Sequence, residues 1–223
     1  MRPAQKRITI ALWGLVVLAM VGMVVGKILR PHPPSPPTPP AVRDMEDREQ
    51  VSTGTRELYA VPDIALIDQT GGAFNTRQLH GHPWIADFIF TSCGNVCPIM
   101  TAKMVELQKN TPAAVHLVSF TVDPKNDTPA ILTEYGKSFH ADFGRWHFLT
   151  GTAIQTADAA YQMKISVKPA SAESAIMHSE KFLLVNGAGS VVGVYDGTNA
   201  GEVKRLETDA TKLVQADAVG TAK

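Results

Sequence analysis

Two cysteines four residues apart are the side chains in this sequence most able to do chemistry. They are the only two cysteines, Cys93 and Cys97, and Pro98 follows directly. A helix is predicted to begin beside them, and a helix N-terminus stabilises a thiolate and lowers its pKa. A disulfide across so short a loop constrains little chain entropy. The pair therefore predicts metal binding or redox chemistry rather than a structural bridge.

The residue types narrow the choice of metal. Two thiolates favour Cu(I) or zinc over magnesium and calcium, and an imidazole suits copper well. A closed structural zinc site prefers a fourth ligand, whereas two thiolates and one imidazole make a three-coordinate Cu(I) site that also accepts Cu(II). The seven histidines are scattered along the chain. The residues alone leave copper binding, zinc binding and thiol-disulfide exchange open.

The surrounding pattern places the cysteine pair at the edge of a sheet. The buried apolar run 84–90 predicts a strand that ends just before Cys93, and 99–109 has helical spacing. The other predicted elements are a hairpin turning at Gly71-Gly72, a strand at 115–121, a helix from Thr128-Pro129 to about 139, a strand at 146–149, a helix at 152–162, a hairpin of 182–185 with 191–195, and a helix at 201–215. This order predicts a layered α/β domain, with the cysteines at the carboxyl edge of the sheet.

The N-terminal segment has the features of a membrane anchor. An apolar run extends from Ile8 to Gly26, close to the ~20 residues that cross a bilayer as a helix. No small-x-small cleavage site follows it. We expect a short cytoplasmic tail at 1–7 and a transmembrane signal anchor at 8–29. Three basic residues precede the run, which predicts a single-pass protein of the cytoplasmic membrane with its N-terminus inside and its domain in the periplasm or extracytoplasmic space.

A spacer connects the predicted anchor to the predicted domain. Residues 31–40 are rich in proline, a composition that favours the extended polyproline II form. The predicted linker covers 30–57 and the predicted folded domain covers 58–223. Positive and negative residues number 21 each, and this balance argues against a nucleic-acid-binding protein.

Three motifs resemble signatures of a known family. The segments 91–98 (TSCGNVCP), 122–129 (VDPKNDTP) and 146–151 (WHFLTG) resemble those of the Sco/SenC family, the copper-binding assembly proteins of cytochrome c oxidase. The motifs lie in the expected order, and the likeness covers roughly residues 58–200.

The resemblance implies a fold, a site and a function. The fold is thioredoxin-like, a central mixed sheet flanked by helices, behind a single N-terminal transmembrane helix. Copper, as Cu(I) or Cu(II), is held by Cys93, Cys97 and His178, the last in a loop before a hairpin. The implied function is that of a copper chaperone, not an enzyme, for cytochrome c oxidase subunit II or another copper-accepting protein. The alternative is a membrane-anchored thiol-disulfide oxidoreductase in which Cys93 and Cys97 are the redox-active pair.

Several residues near these motifs are open to two interpretations. Met177 stands where family members often carry an acidic residue, and it is interpreted as a packing residue rather than a thioether near copper. Asp123 is interpreted as a turn residue rather than a group that orients a ligand, and Asp127 as a helix cap. Asp87 needs a partner if it is buried; it is either structural or lies beneath the site. None of the other histidines is predicted to be a ligand: His32, His80, His82, His116, His140 and His147.

Overall fold

The computed structural model describes residues 57–94, 96–168 and 176–220. The chain divides into two units, Met1–Glu49 and Gln50–Lys223, and all the described residues belong to the second. The predicted tail, the anchor at 8–29 and the proline-rich spacer lie outside the described residues. Within the described ranges, no helix has the length and apolar character needed to cross a membrane.

An eight-stranded sheet, a separate two-stranded ribbon and four α-helices make up the described part. The strands are β1 Tyr59–Ala60, β2 Ala65–Asp68, β3 Ala73–Asn75, β4 Trp84–Ile89, β5 His116–Thr121, β6 Trp146–Thr150, β7 Val167–Lys168, β8 Met177–His178, β9 Lys181–Val185 and β10 Ser190–Asp196. The helices are α1 Val96–Asn110, α2 Pro129–Ser138, α3 Ala153–Gln162 and α4 Ala200–Gly220, with a short 3-10 helix at Thr76–Leu79.

The main sheet is mixed, as predicted. Its strand order is β1-β10-β9-β4-β5-β6-β2-β3, and β7 pairs with β8 in the ribbon. Strands β4, β5 and β6 are parallel, whereas β9 lies antiparallel to β4 and β2 lies antiparallel to β6. The three parallel strands end at one edge, and the chain passes from the end of β4 directly toward α1.

Both faces of the sheet are covered, which explains the nearly continuous apolar sequence of β4. All six residues of β4 are buried. Ala86 and Phe88 pack with side chains of α3, whereas Ile85 and Ile89 pack with side chains of α1 and α4. Asp87 is two residues from each isoleucine, so its side chain points to the same face, the α1 side of the strand.

The longer predicted elements are confirmed, and their ends follow local chemistry. Thr128 caps α2, as predicted, by accepting a hydrogen bond from the Ile131 amide, with Pro129 in the first turn. Thr152 forms a capping box with Gln155 at the start of α3. Helix α1 begins at Val96, three residues before the predicted start. The two-residue strands β1, β7 and β8 were not predicted, because two residues carry no periodic pattern.

Candidate metal centre

The two cysteines lie where β4 gives way to α1, as predicted. The Cys93 amide donates to the Phe90 carbonyl at 3.2 Å and turns the chain after the strand. Cys97 is the second residue of α1 and is completely buried, while Cys93 is partly exposed. The Cys97 amide donates to Cys93 Sγ at 3.5 Å. The two cysteines are not joined by a disulfide, and Cys93 is the more exposed of the two residues.

His178 reaches the cysteine pair from a distant part of the chain. Its Nε2 lies 3.4 Å from Cys97 Sγ, across 81 residues of sequence. The predicted loop position of His178 is wrong: the residue belongs to β8 and pairs with Val167 of β7. The Ser179 amide donates to the Ser166 carbonyl at 3.0 Å and closes the ribbon beside it. The ribbon therefore positions the imidazole through its backbone.

The hydrogen bonds of His178 define its tautomer. Nδ1 lies 3.1 Å from the Ser179 carbonyl oxygen, and because a carbonyl only accepts, Nδ1 carries the proton. Burial lowers the pKa of His178, more than the Ser179 carbonyl and Glu180 raise it. The ring is therefore neutral at pH 7, and the Nε2 lone pair faces Cys97, whose thiol donates to it. A neutral imidazole fixed through its other nitrogen is the form that binds metals.

Cys97 does not have the lowered pKa expected at a helix N-terminus. Burial raises the pKa of the Cys97 thiol to about 12, and the hydrogen bond with Cys93 and the negative charges of Cys93 and Asp87 act in the same direction. The sequence-based expectation is wrong for this residue because desolvation of a buried thiolate outweighs the helix dipole. Cys97 is therefore a protonated thiol that ionises when a metal replaces its proton.

The donor set matches a soft metal, although it is not assembled. Among the described residues, no three His, Cys, Asp or Glu side chains converge as the ligands of one ion. The 3.4 Å between Cys97 Sγ and His178 Nε2 is nonetheless close to the roughly 3.5 Å expected for two ligands of one metal, given bonds of about 2.3 and 2.0 Å. Cys93 Sγ accepts from the Cys97 amide at 3.5 Å and also hydrogen-bonds the Cys97 side chain, so all three donors lie in one region of the structure.

The histidine side of the site opens to solvent. A cavity of about 340 Å³ is lined by Ser166, Val167, Lys168, His178 and Ser179. The Phe90 ring packs edge-on against His178 from within, with the ring centroids 5.9 Å apart. The imidazole therefore lies between the apolar Phe90 ring and this cavity.

Asp87 is buried, and its carboxylate forms no hydrogen bond of good geometry with the described residues. It is 0% exposed. Burial raises the pKa of Asp87 to about 7. The Ser119 hydroxyl, opposite it on β5, is close enough to offset part of this rise in pKa, although it does not reach good hydrogen-bond geometry. The charge of Asp87 also contributes to the raised pKa of Cys97. Of the two interpretations of Asp87 left open by the sequence, its electrostatic effect on Cys97 supports a position beneath the cysteine site.

The two aspartates of the second motif have different roles from each other. Asp123 forms a turn, as predicted: its carbonyl accepts from the Asp127 amide at 2.9 Å, and its Oδ2 accepts from the Asn126 amide group at 2.7 Å. The interpretation of Asp127 as a helix cap is wrong, since Thr128 caps α2. The Asp127 carboxylate instead binds Thr91 and Thr121. Thr91 begins the first motif and Thr121 directly precedes the second, but nothing in the sequence indicated that either residue binds Asp127.

The histidines not predicted as ligands include a second cluster at the opposite edge of the sheet. His116 and His147 are at the amino ends of β5 and β6, with their rings stacked at 6.2 Å, and His82 meets His116 edge-on at 5.4 Å. Burial lowers the pKa of both His116 and His147, which agrees with the packing role expected for them. The side chain of Met177 lies outside the described part of the structure.

Comparisons with known proteins show a match to one protein family. The SCO1/SenC family profile matches residues 54–215. The SCO1 protein homolog of Bacillus subtilis (strain 168) is similar, with 37% identity over 144 residues, 62% of this chain and 75% of the relative. Several Rickettsia SCO2-like relatives match over about half of their own length.

Solved structures extend the likeness to the fold. BsSco, a member of the Sco family of cytochrome c oxidase assembly proteins studied for its disulfide switch, is 33% identical with a TM-score of 0.63, covering 71% of this chain and 95% of that one. Yeast Sco1, solved with copper bound, is 27% identical with a TM-score of 0.54, covering 67% and 87%. The mixed sheet with flanking helices is the fold of these proteins.

Proposed function

The chain belongs to the SCO1/SenC family, and from that premise we propose that it is a copper metallochaperone. Sco proteins are involved in copper binding and in cytochrome c oxidase assembly. In this chain Cys93, Cys97 and His178 bind one copper ion, as Cu(I) or Cu(II), which passes to the binuclear copper centre of oxidase subunit II or to another copper acceptor. The observation that carries the proposal is the 3.4 Å approach of His178 Nε2 to Cys97 Sγ.

The three side chains contribute differently to binding and release. Two thiolates and an imidazole form a soft ligand set suited to copper. Copper replaces the Cys97 thiol proton, which passes to solvent, while the bond from His178 Nδ1 to the Ser179 carbonyl keeps the ring in place. Cys93 is the more exposed sulfur, and it is therefore the ligand that first exchanges with a donor of the acceptor protein.

Copper titration tests this proposal. The reduced full-length chain, purified in detergent, is titrated with Cu(II) while sulfur-to-copper charge-transfer absorption and bound copper are measured. We expect one copper per chain, with affinity reduced at least about 10-fold in Cys93→Ser and His178→Ala, because loss of an outer-shell partner alone already costs about that much. His82→Ala serves as the matched control, because His82 is exposed and lies at the other edge of the sheet. Unchanged affinity in His178→Ala contradicts the assignment of His178.

The different exposure of the two sulfurs supports a second function, that of a thiol-disulfide oxidoreductase. The partly exposed Cys93 can attack a partner's disulfide, and the buried Cys97 can then resolve the mixed disulfide. The two thiols lose two electrons and two protons and become a disulfide, and the partner disulfide becomes two thiols. Rapid reduction of a model protein disulfide, unaffected by His178→Ala and without stable copper binding, favours this function over the chaperone.

We propose further that residues 8–29 anchor the protein in the cytoplasmic membrane, with residues 58–223 on the outer side. The support is the apolar run from Ile8 to Gly26 with its preceding basic residues. Alkaline carbonate extraction of membranes tests the membrane anchor, and protease accessibility of intact spheroplasts tests the orientation of the domain. Release by carbonate contradicts the anchor, and protection from protease contradicts the orientation.

A further inference from the structure

We propose that Asp127 is a positioning residue for the metal centre: its carboxylate binds Thr91 and so fixes the loop that carries Cys93. The inference deepens the proposed function and rests on it. Asp127 acts through the backbone that leads to Cys93, which lies two residues beyond Thr91.

The Asp127 carboxylate joins the ends of two parallel strands. Its Oδ1 accepts from the Thr91 hydroxyl at 2.5 Å, and both oxygens lie 3.2 Å from the Thr91 amide. Its Oδ2 accepts from the Thr121 hydroxyl at 2.5 Å. Thr121 is the last residue of β5, and Thr91 follows β4. One buried carboxylate therefore receives three donors from the carboxyl edge where the metal centre lies.

The backbone around Asp127 holds the carboxylate in place. The Asp127 amide donates to the Asp123 carbonyl at 2.9 Å, and the Asp123 amide donates to the Thr121 hydroxyl at 2.9 Å. On its other side, Thr128 begins α2 as the N-cap. Asp127 is 0% exposed, so water does not compete for its hydrogen bonds. Such a carboxylate is a fixed anchor for the ends of the strands that it joins.

The loop from β4 to α1 transmits this anchoring to Cys93. The chain turns between Phe90 and Cys93, where the Cys93 amide donates to the Phe90 carbonyl. Thr91 lies inside this turn, and its backbone and side chain both bind Asp127. Movement of Thr91 therefore changes the position from which Cys93 Sγ must meet Cys97 and His178.

Substitutions at Thr91 separate positioning from simple stabilisation. Thr91→Val removes the hydroxyl donor at nearly constant shape, and Thr91→Ser retains it. Tyr195→Phe is a control for stability: it removes a hydroxyl that donates to the buried Asp209 at 3.0 Å, between β10 and α4. In the full-length chain, copper affinity, the copper charge-transfer spectrum, the rate of Cys93 alkylation by iodoacetamide and the free energy of unfolding are measured for each variant.

We expect Thr91→Val to weaken copper binding about 10-fold, the lower limit for loss of a partner around a metal ligand, with a shifted charge-transfer band and a changed alkylation rate. Thr91→Ser is expected to match the unsubstituted protein, and Tyr195→Phe to lose stability without these changes. Equal behaviour of Thr91→Val and Thr91→Ser overturns the inference, as does an equal change in Tyr195→Phe. If the unsubstituted protein binds no copper, the proposed function fails, and the alkylation rates still decide the role of Asp127.

Discussion

Replacement of Asp87 by asparagine is expected to stabilise the protein above neutral pH. The carboxylate is fully buried on the α1 side of β4, and burial raises its pKa from 3.8 to about 7. At about 1.4 kcal/mol per pH unit, this difference corresponds to about 4 kcal/mol by which ionised Asp87 opposes folding. Asparagine has nearly the same shape and cannot ionise, so Asp87→Asn removes this contribution.

The expected pH dependence follows from which state binds the proton. Between pH 4 and pH 7 the folded protein keeps Asp87 protonated, whereas the unfolded chain has already released this proton. The free energy of unfolding therefore falls as pH rises through this range, and it levels off above the folded-state pKa. The two proteins are expected to have similar stability at pH 4 and to differ by about 4 kcal/mol at pH 8.

Urea denaturation of the reduced, metal-free proteins at half-unit pH steps from 4 to 8 measures this difference. Contributions from other titrating groups cancel when the variant is subtracted from the unsubstituted protein. Asp158→Asn, at an exposed position of α3, provides the control, with an expected change within about 0.5 kcal/mol at every pH. Parallel stability curves for Asp87→Asn and the unsubstituted protein would refute the reasoning.

Two further changes test the packing of the sheet. Burial lowers the pKa of His116 from 6.5 to about 4, so the unfolded chain binds the proton first and the free energy of unfolding is expected to fall as pH falls from 6.5 to 4. His116→Gln should remove that part of the acid sensitivity, measured by urea denaturation. An unchanged loss of stability between pH 6.5 and 4 in the variant would contradict this prediction. Gly136→Ala puts a Cβ atom 2.6 Å from the Phe143 ring. This overpacking is expected to lower the free energy of unfolding by about 1–3 kcal/mol, measured by urea denaturation, with copper binding retained. An unchanged free energy of unfolding would show that the Phe143 ring moves aside without cost.

Local sequence was sufficient to predict most of the fold. The apolar run at 84–90, the Thr128-Pro129 helix start and the hairpin of 182–185 with 191–195 each depend on neighbouring residues, and each is confirmed. The position of Cys93 and Cys97 between a strand and a helix follows in the same way. The short strands β7 and β8 could not be predicted, because their pairing depends on two segments that meet only in the folded chain.

The chemistry of the site depended on tertiary contacts. The motif alone indicated lowered thiol pKa values, but burial under the sheet edge raises the pKa of Cys97. The pattern Asp127-Thr128-Pro129 indicated a cap, but the carboxylate turns inward to Thr91, 36 residues away. The meeting of His178 with Cys97 spans 81 residues, and only the resemblance to a family suggested it. Residue type and spacing determined which groups could react; burial and long-range packing decided their protonation, their partners and their distances, since these depend on what the whole chain removes from water.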